Sequence, residues 1–183
     1  MKRVCLVHGW KGSPENHWFP WLRRECEARG YSVMAPTMPD ASHPQAAAWV
    51  AHLRDVVGTP NEQTYFVGHS LGCVTILRYL ALQPKTVRVG GAVLMAGFTS
   101  SLNISEIENF LSEPIDAKQV RLVCPNIAAF ASTNDHYVPV QEGKILQKQF
   151  GAHLEIVESA GHFGSNDGYT EFPGVLEKLL DFV

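Results

Sequence analysis

The chain has 183 residues, 45% of them hydrophobic and 18% charged, and a formal net charge of -3 from 15 basic and 18 acidic side chains. A single domain of this length can bury roughly 70% of the surface its extended chain exposes, so a layered core is within reach and the composition argues against disorder. No basic stripe suits nucleic acid or an anionic membrane, and no apolar stretch approaches the roughly 20 residues of a membrane span.

Short apolar runs alternate with longer amphipathic ones. VCLVHG (4–9) reads as a buried strand, since a run apolar on both faces suits a sheet covered on both sides. Although the N-terminus begins basic and then apolar, the run stops at His8, short of the about 7–15 residues of a secretory leader. A cytoplasmic protein is therefore expected, with Cys5, Cys26, Cys73 and Cys124 as reduced thiols. After the loop WKGSPENH comes a helix over WFPWLRRECEARG, with Pro20 in its first turn and Gly30 at its end. YSVMAP (31–36) is the second strand. Pro44 then opens a helix presenting Ala46, Trp49, Val50, Leu53 and Val57 on one face, closed by Gly58. TYFVG (64–68) is the third strand, and 71–82 forms a well-buried helix stopped by Pro84. VGGAVLMAG (89–97) and NIAAFAS (126–132) are the fourth and fifth strands. A helix from Pro139 to Gly151, a sixth strand at HLEIVE (153–158) and a helix over about 172–181 complete the series. Only 98–125 resists placement. It has room for one or two short helices and lies where a small lid or pocket wall would border a site.

Six strands separated by helices predict one α/β domain over 1–183, a three-layer sandwich with a parallel sheet covered on both faces. Into that rhythm falls YFVGHSLGCVTILRYL (65–80), where Gly-His-Ser-Leu-Gly sits between a strand and a helix. In so tight a turn a side chain two positions either side of Ser70 would strike the crossing backbone, and Gly68 and Gly72 remove it. The hydroxyl is then lifted clear of the sheet, and the helix start supplies unpaired N–H groups, the first from Leu71.

A serine hydroxyl needs a base, itself oriented by a carboxylate. Of the 8 histidines, His8 is expected to shape the loop at Gly9 and Trp10, and His69 to be buried and hydrogen-bonded, pointing away from Ser70. His17, His43 and His52 read as surface or capping residues, and His153 as the start of a strand. His136 adjoins the favoured acid. His162, in ESAGHFG past the last strand, is the best base, and Asp135, directly after strand five, the best acid; Glu158 and Asp40 are the alternatives. The order Ser70, Asp135, His162, each at a strand's carboxyl end, is the order of the α/β-hydrolase fold.

With HGWKGSPENHWFPWL after strand one, MPD after strand two, GHSLG, STNDHYVP and GHF, the chain resembles the α/β-hydrolase superfamily over nearly its whole length. More narrowly it is similar to the small lidless serine hydrolases of the retinoblastoma-binding-protein-like and YdeN-like branch. The resemblance implies strand order 2-1-3-4-5-6, with Ser70 as nucleophile, Asp135 as acid and His162 as base. The Leu-x-Cys-x-Glu motif of vertebrate members is not carried over. LVCPN (122–126) ends in Asn126 and runs into a buried strand, and no protein partner is inferred. The expected reaction is acyl transfer to water from a small ester, with the N–H groups of Leu71 and of Trp10, turned by Gly9, as oxyanion donors. An amidase or aminopeptidase-like hydrolase, or an interaction module with little turnover, is the alternative. No cofactor or metal is called for, because the Cys and His spacings fit neither a zinc site nor a His-Glu-x-x-His helix. Trp10, Trp18, Phe98, Phe163 and Tyr137 are candidates to ring the pocket, whereas Trp21 and Trp49 read as core.

Overall fold

The computed structural model describes residues 1–182. Runs apolar at nearly every position must be covered on both faces, and four such runs form the centre of the sheet: β1 (Arg3–Val7), β3 (Thr64–His69), β4 (Gly91–Met95) and β5 (Ile127–Ser132). The edges are β2 (Ser32–Met34) and β6 (His153–Val157), neither fully buried. All neighbours pair in parallel, in the order β2-β1-β3-β4-β5-β6 expected from the resemblance.

Alternation along each strand divides the core. Cys5, Val7, Phe66, Leu94 and Ala129 face one layer, packed under α2 (Ala46–Val57), α3 (Leu71–Ala81), α4 (Ala117–Val123) and α5 (Val140–Phe150). Val4, Leu6, Val67, Met95 and Phe130 face the other, under α1 (Phe19–Ala28) and α6 (Pro173–Asp181). The helices form because each turns an apolar stripe inward; α3 is buried almost all round because it crosses the middle of the sheet. All four cysteines are buried and unpaired.

Several elements run shorter than their apolar runs suggest, whereas β3 runs one residue past the expected 64–68, to His69. β1 stops at Val7 because His8 and Gly9 already belong to the turn that follows. α2 starts at Ala46, not Pro44, since Gln45 is extended and the Pro44 carbonyl accepts from the Asn109 side chain. In 98–125 a 3₁₀ turn (Ser105–Phe110) buries Ile107 and Phe110, and α4 begins where the Asp116 side chain accepts the Gln119 N–H at 2.9 Å. Among the described residues no helix is long and apolar enough to cross a membrane.

Candidate active site

The turn after β3 is as sharp as the glycine spacing requires. Ser70 has φ 54° and ψ -119°, a left-handed backbone that costs a non-glycine residue on the order of 1–3 kcal/mol. Its N–H donates to the Met95 carbonyl at 2.8 Å and its carbonyl accepts from Cys73 N–H at 2.9 Å, so both sides of the turn are tied down. A Cβ on Gly68 would lie 2.8 Å from Ile76 Cδ1 and 2.9 Å from the Cys73 nitrogen, and one on Gly72 would be driven into the Val7 carbonyl. Both glycines are therefore steric requirements of α3 crossing β1 and β3. Cys73 is no rival nucleophile, because burial pushes its thiol up and holds it protonated.

At the far side of the sheet centre, Asp135 and His162 meet. The Nδ1 of His162 lies 2.7 Å from Asp135 Oδ2, with the carboxylate side chain 1% exposed and the imidazole 15%. The other carboxylate oxygen accepts the N–H groups of Tyr137 at 2.8 Å and Val138 at 3.0 Å. A carboxylate so engaged makes Nδ1 the protonated nitrogen and leaves Nε2 as the acceptor. Glu158 and Asp40, the alternative acids, make no such contact with His162.

The loops that carry this pair are clasped together. Asn134 Oδ1 accepts from Gly161 N–H at 2.7 Å and from the Ser132 hydroxyl at 2.8 Å. Ser132 Oγ accepts Ala160 N–H at 3.0 Å, and Thr133 Oγ1 accepts Ser159 N–H at 3.0 Å. Asp167 Oδ2 takes the N–H of His162 at 2.9 Å and of Gly164 at 3.0 Å. None of these tethers was assigned from the sequence; the polar run Ser132-Thr133-Asn134 straight after a buried strand was the available signal.

Two further histidines hold backbone. His8 accepts the Met38 N–H on Nε2 at 2.9 Å, so its proton sits on Nδ1 and is donated to the Gly9 carbonyl at 2.8 Å. That carbonyl also accepts from Gly12 N–H at 3.1 Å. Because a trans peptide points its C=O and N–H in opposite directions, fixing the Gly9 oxygen fixes the Trp10 N–H on the other side. Neither the Trp10 nor the Leu71 N–H is taken by a backbone acceptor among the described residues. His69 is buried, as expected, and donates from Nε2 to the His162 carbonyl at 2.8 Å, with the two rings 4.8 Å apart. Burial, reinforced by the facing His162, holds His69 well below the ordinary histidine range.

Gly9, Trp10, Ser70, Leu71 and His162 line one cavity of about 540 Å³. Leu102, Ile104 and Ile107 from the segment after β4 form one wall, so part of 98–125 is a pocket wall. Glu142 braces it by accepting Thr99 N–H at 2.8 Å and Ser100 N–H at 3.2 Å. Of the candidate aromatics, Trp10 and Tyr137 reach the cavity, but Trp18, Phe98 and Phe163 are fully buried in the core, where Trp18 Nε1 donates to the Phe163 carbonyl at 3.2 Å. His17 also departs from expectation. Instead of capping a surface helix it lines the cavity beside His69, its ring held by Ser165. No group of three potential metal ligands gathers among the described residues.

A parallel sheet in this order, with a serine on a strained strand–helix turn and an aspartate–histidine pair on two later strand ends, defines an α/β-hydrolase. The profile of the family described as serine hydrolase matches residues 4–181, and the chain belongs to that family. It is 34% identical to YdeN of Bacillus subtilis over 182 residues, spanning 99% of this chain and 96% of that protein. The crystal structure of the ydeN gene product superimposes with a TM-score of 0.95, covering 100% of this chain and 98% of that one. It is also 26% identical to the rat serine hydrolase RBBP9, over 98% of this chain and 95% of the relative. Est1E from Butyrivibrio proteoclasticus, only 12% identical, shares the fold with a TM-score of 0.75, over 99% of this chain and 89% of that one.

Proposed function

We propose that the chain is one catalytic domain in which Ser70, His162 and Asp135 hydrolyse small carboxylic esters through an acyl-enzyme. The observation that carries this reading is the buried Asp135–His162 pair at 2.7 Å, whose imidazole shares a cavity with the strained Ser70. With its proton on Nδ1, His162 takes the Ser70 proton on Nε2 as Oγ attacks the ester carbonyl carbon. The negative charge that develops on the carbonyl oxygen is met by the N–H groups of Leu71 and Trp10, each donor being worth about 2.7–4 kcal/mol in the transition state. His162 then gives its proton to the leaving alcohol, and water repeats the cycle on the acyl-serine. The short 98–125 segment offers an acyl chain only the apolar wall of Leu102, Ile104 and Ile107 to lie against, which favours a short one. Four buried thiols suit a reducing, cytoplasmic setting.

Labelling with a fluorophosphonate tests the assignment. Wild type should label strongly, Ser70→Ala not at all and His162→Ala weakly. Nitrophenyl esters of increasing acyl length should show acetate and butyrate turning over fastest. Labelling that persists in Ser70→Ala would sink the nucleophile, and faster turnover of long chains or aminoacyl arylamides would sink the substrate class.

A further inference from the structure

The two sides of the cavity differ in chemistry because they belong to different core layers. Leu102 and Ile104, with Trp10, pack on the layer beneath α2 and α3. His17 and the Gly164–Asp167 stretch sit over the layer of α1 and α6, through Trp18 and Phe163. This second side is lined by Asn16, His17, Asn166 and Asp167, all polar.

His17 is held there deliberately. Its backbone has φ 56°, a left-handed conformation that an L-residue adopts only when its surroundings enforce it. The Ser165 N–H donates to His17 Nδ1 at 2.9 Å, a contact across 148 residues of chain. An Nδ1 that accepts leaves the proton of the neutral ring on Nε2, and that nitrogen makes no hydrogen bond among the described residues. The residue lines the cavity and is half-buried, and this N–H is a donor with no partner among the described residues. Burial and the nearby His162 lower its proton affinity, which keeps the ring neutral.

The His69 ring stands 5.3 Å from His17 and 4.8 Å from His162, which places His17 on the His162 side of the cavity. His17 therefore flanks the same imidazole as His162, the group that must reach the leaving atom. Resting on the esterase reading above, we infer that His17 is a substrate-binding residue whose Nε2–H donates to an oxygen on the alcohol portion of the ester. The preferred substrates are thus short-chain esters of alcohols that carry a second oxygen, such as a hydroxyalkyl or glyceryl group, rather than of plain alkyl alcohols.

The test compares 2-hydroxyethyl butyrate with propyl butyrate, which have the same acyl group and nearly the same length. One neutral hydrogen bond contributes about 0.5–1.5 kcal/mol net, so wild type should favour the hydroxyethyl ester by about twofold to tenfold in kcat/KM. In His17→Phe that ratio should fall to near one, and His17→Gln, which returns an N–H donor, should recover part of it. A wild-type enzyme that hydrolyses both esters without preference overturns the inference while leaving the esterase reading intact, and this comparison needs no variant to fold. A ratio unchanged in His17→Phe overturns it too. If wild type hydrolyses neither ester and Ser70 is not labelled by fluorophosphonate, the underlying reading has failed first.

Discussion

The Ser70 backbone has a positive φ and its neighbours Gly68 and Gly72 have no room for a Cβ, so the serine's strain is maintained by packing on both sides. The same division between a reacting group and its support runs through the histidines. His8 touches no reacting atom in the proposed mechanism, yet its two hydrogen bonds, from Met38 N–H and to the Gly9 carbonyl, orient the peptide that carries the Trp10 N–H. In that mechanism it is a positioning residue for the proposed oxyanion site. His8→Phe keeps the edge-on packing against Trp49 but removes both bonds. Deleting an oxyanion donor outright costs about 10²–10³ in kcat; a donor that is only unfastened should cost less, about tenfold, with KM changed less than twofold. Steady-state kinetics on nitrophenyl acetate, with a denaturant midpoint measured alongside, separates this from lost stability. A kcat within twofold of wild type would show that Gly12 alone holds the Gly9 carbonyl.

Among the elements, the strand ends deliver the chemistry but the loops set its precision, because adjacent parallel strands are not themselves joined at their tips. β5 and β6 pair as far as Ser132 and Val157, and beyond that point Thr133, Ser132 and Asn134 take over by accepting the N–H groups of Ser159, Ala160 and Gly161, respectively. Asn134→Ala would leave the Gly161 N–H without its acceptor and release the loop one residue before His162. This bond is only partly buried, so its loss should cost about 0.5–1.5 kcal/mol, and a looser His162 should lower kcat with little change in KM. Urea denaturation together with kcat on nitrophenyl butyrate checks both effects; a stability loss with kcat unmoved would mean that Asp135 and Asp167 suffice to place the imidazole. What the sequence disclosed at this level follows the same division. The candidates Ser70, Asp135 and His162 could be picked out because each follows a recognisable apolar run. The clasp was not, because its bonds join loops 26 to 28 residues apart with no periodic pattern. His17 was hidden for the same reason, since its place depends on a left-handed backbone and a partner 148 residues away.

At the scale of the whole molecule, the sheet was legible because β1, β3, β4 and β5 are apolar on both faces, a pattern few other architectures satisfy. Their order was not written in that pattern and came from the resemblance. Segment 98–125 stayed opaque because a six-residue 3₁₀ turn and a seven-residue helix are too short to show a 3.6-residue period. The fold also carries an acid sensitivity that periodicity cannot reveal. His8 and His69 are both buried, and desolvation lowers the proton affinity of each below the ordinary value of 6.5. His69 is further opposed by His162 and His17, which face it. In the unfolded chain both imidazoles take up a proton near 6.5, whereas in the folded protein they do so only at lower pH. Below 6.5 the unfolded state therefore binds more protons, and acid favours unfolding. Stability should be fully present above about pH 7 and should fall, as pH drops below 6.5, on the order of 1 kcal/mol per pH unit for each such imidazole until the folded ring itself protonates. Urea melts at pH 7.5 and 5.5 should show a lower midpoint at the acid end. In His69→Gln, which can donate to the His162 carbonyl but cannot titrate, the difference between the two pH values should shrink even if the variant is less stable overall. Equal pH dependence in wild type and His69→Gln would mean that the acid sensitivity arises elsewhere in the fold.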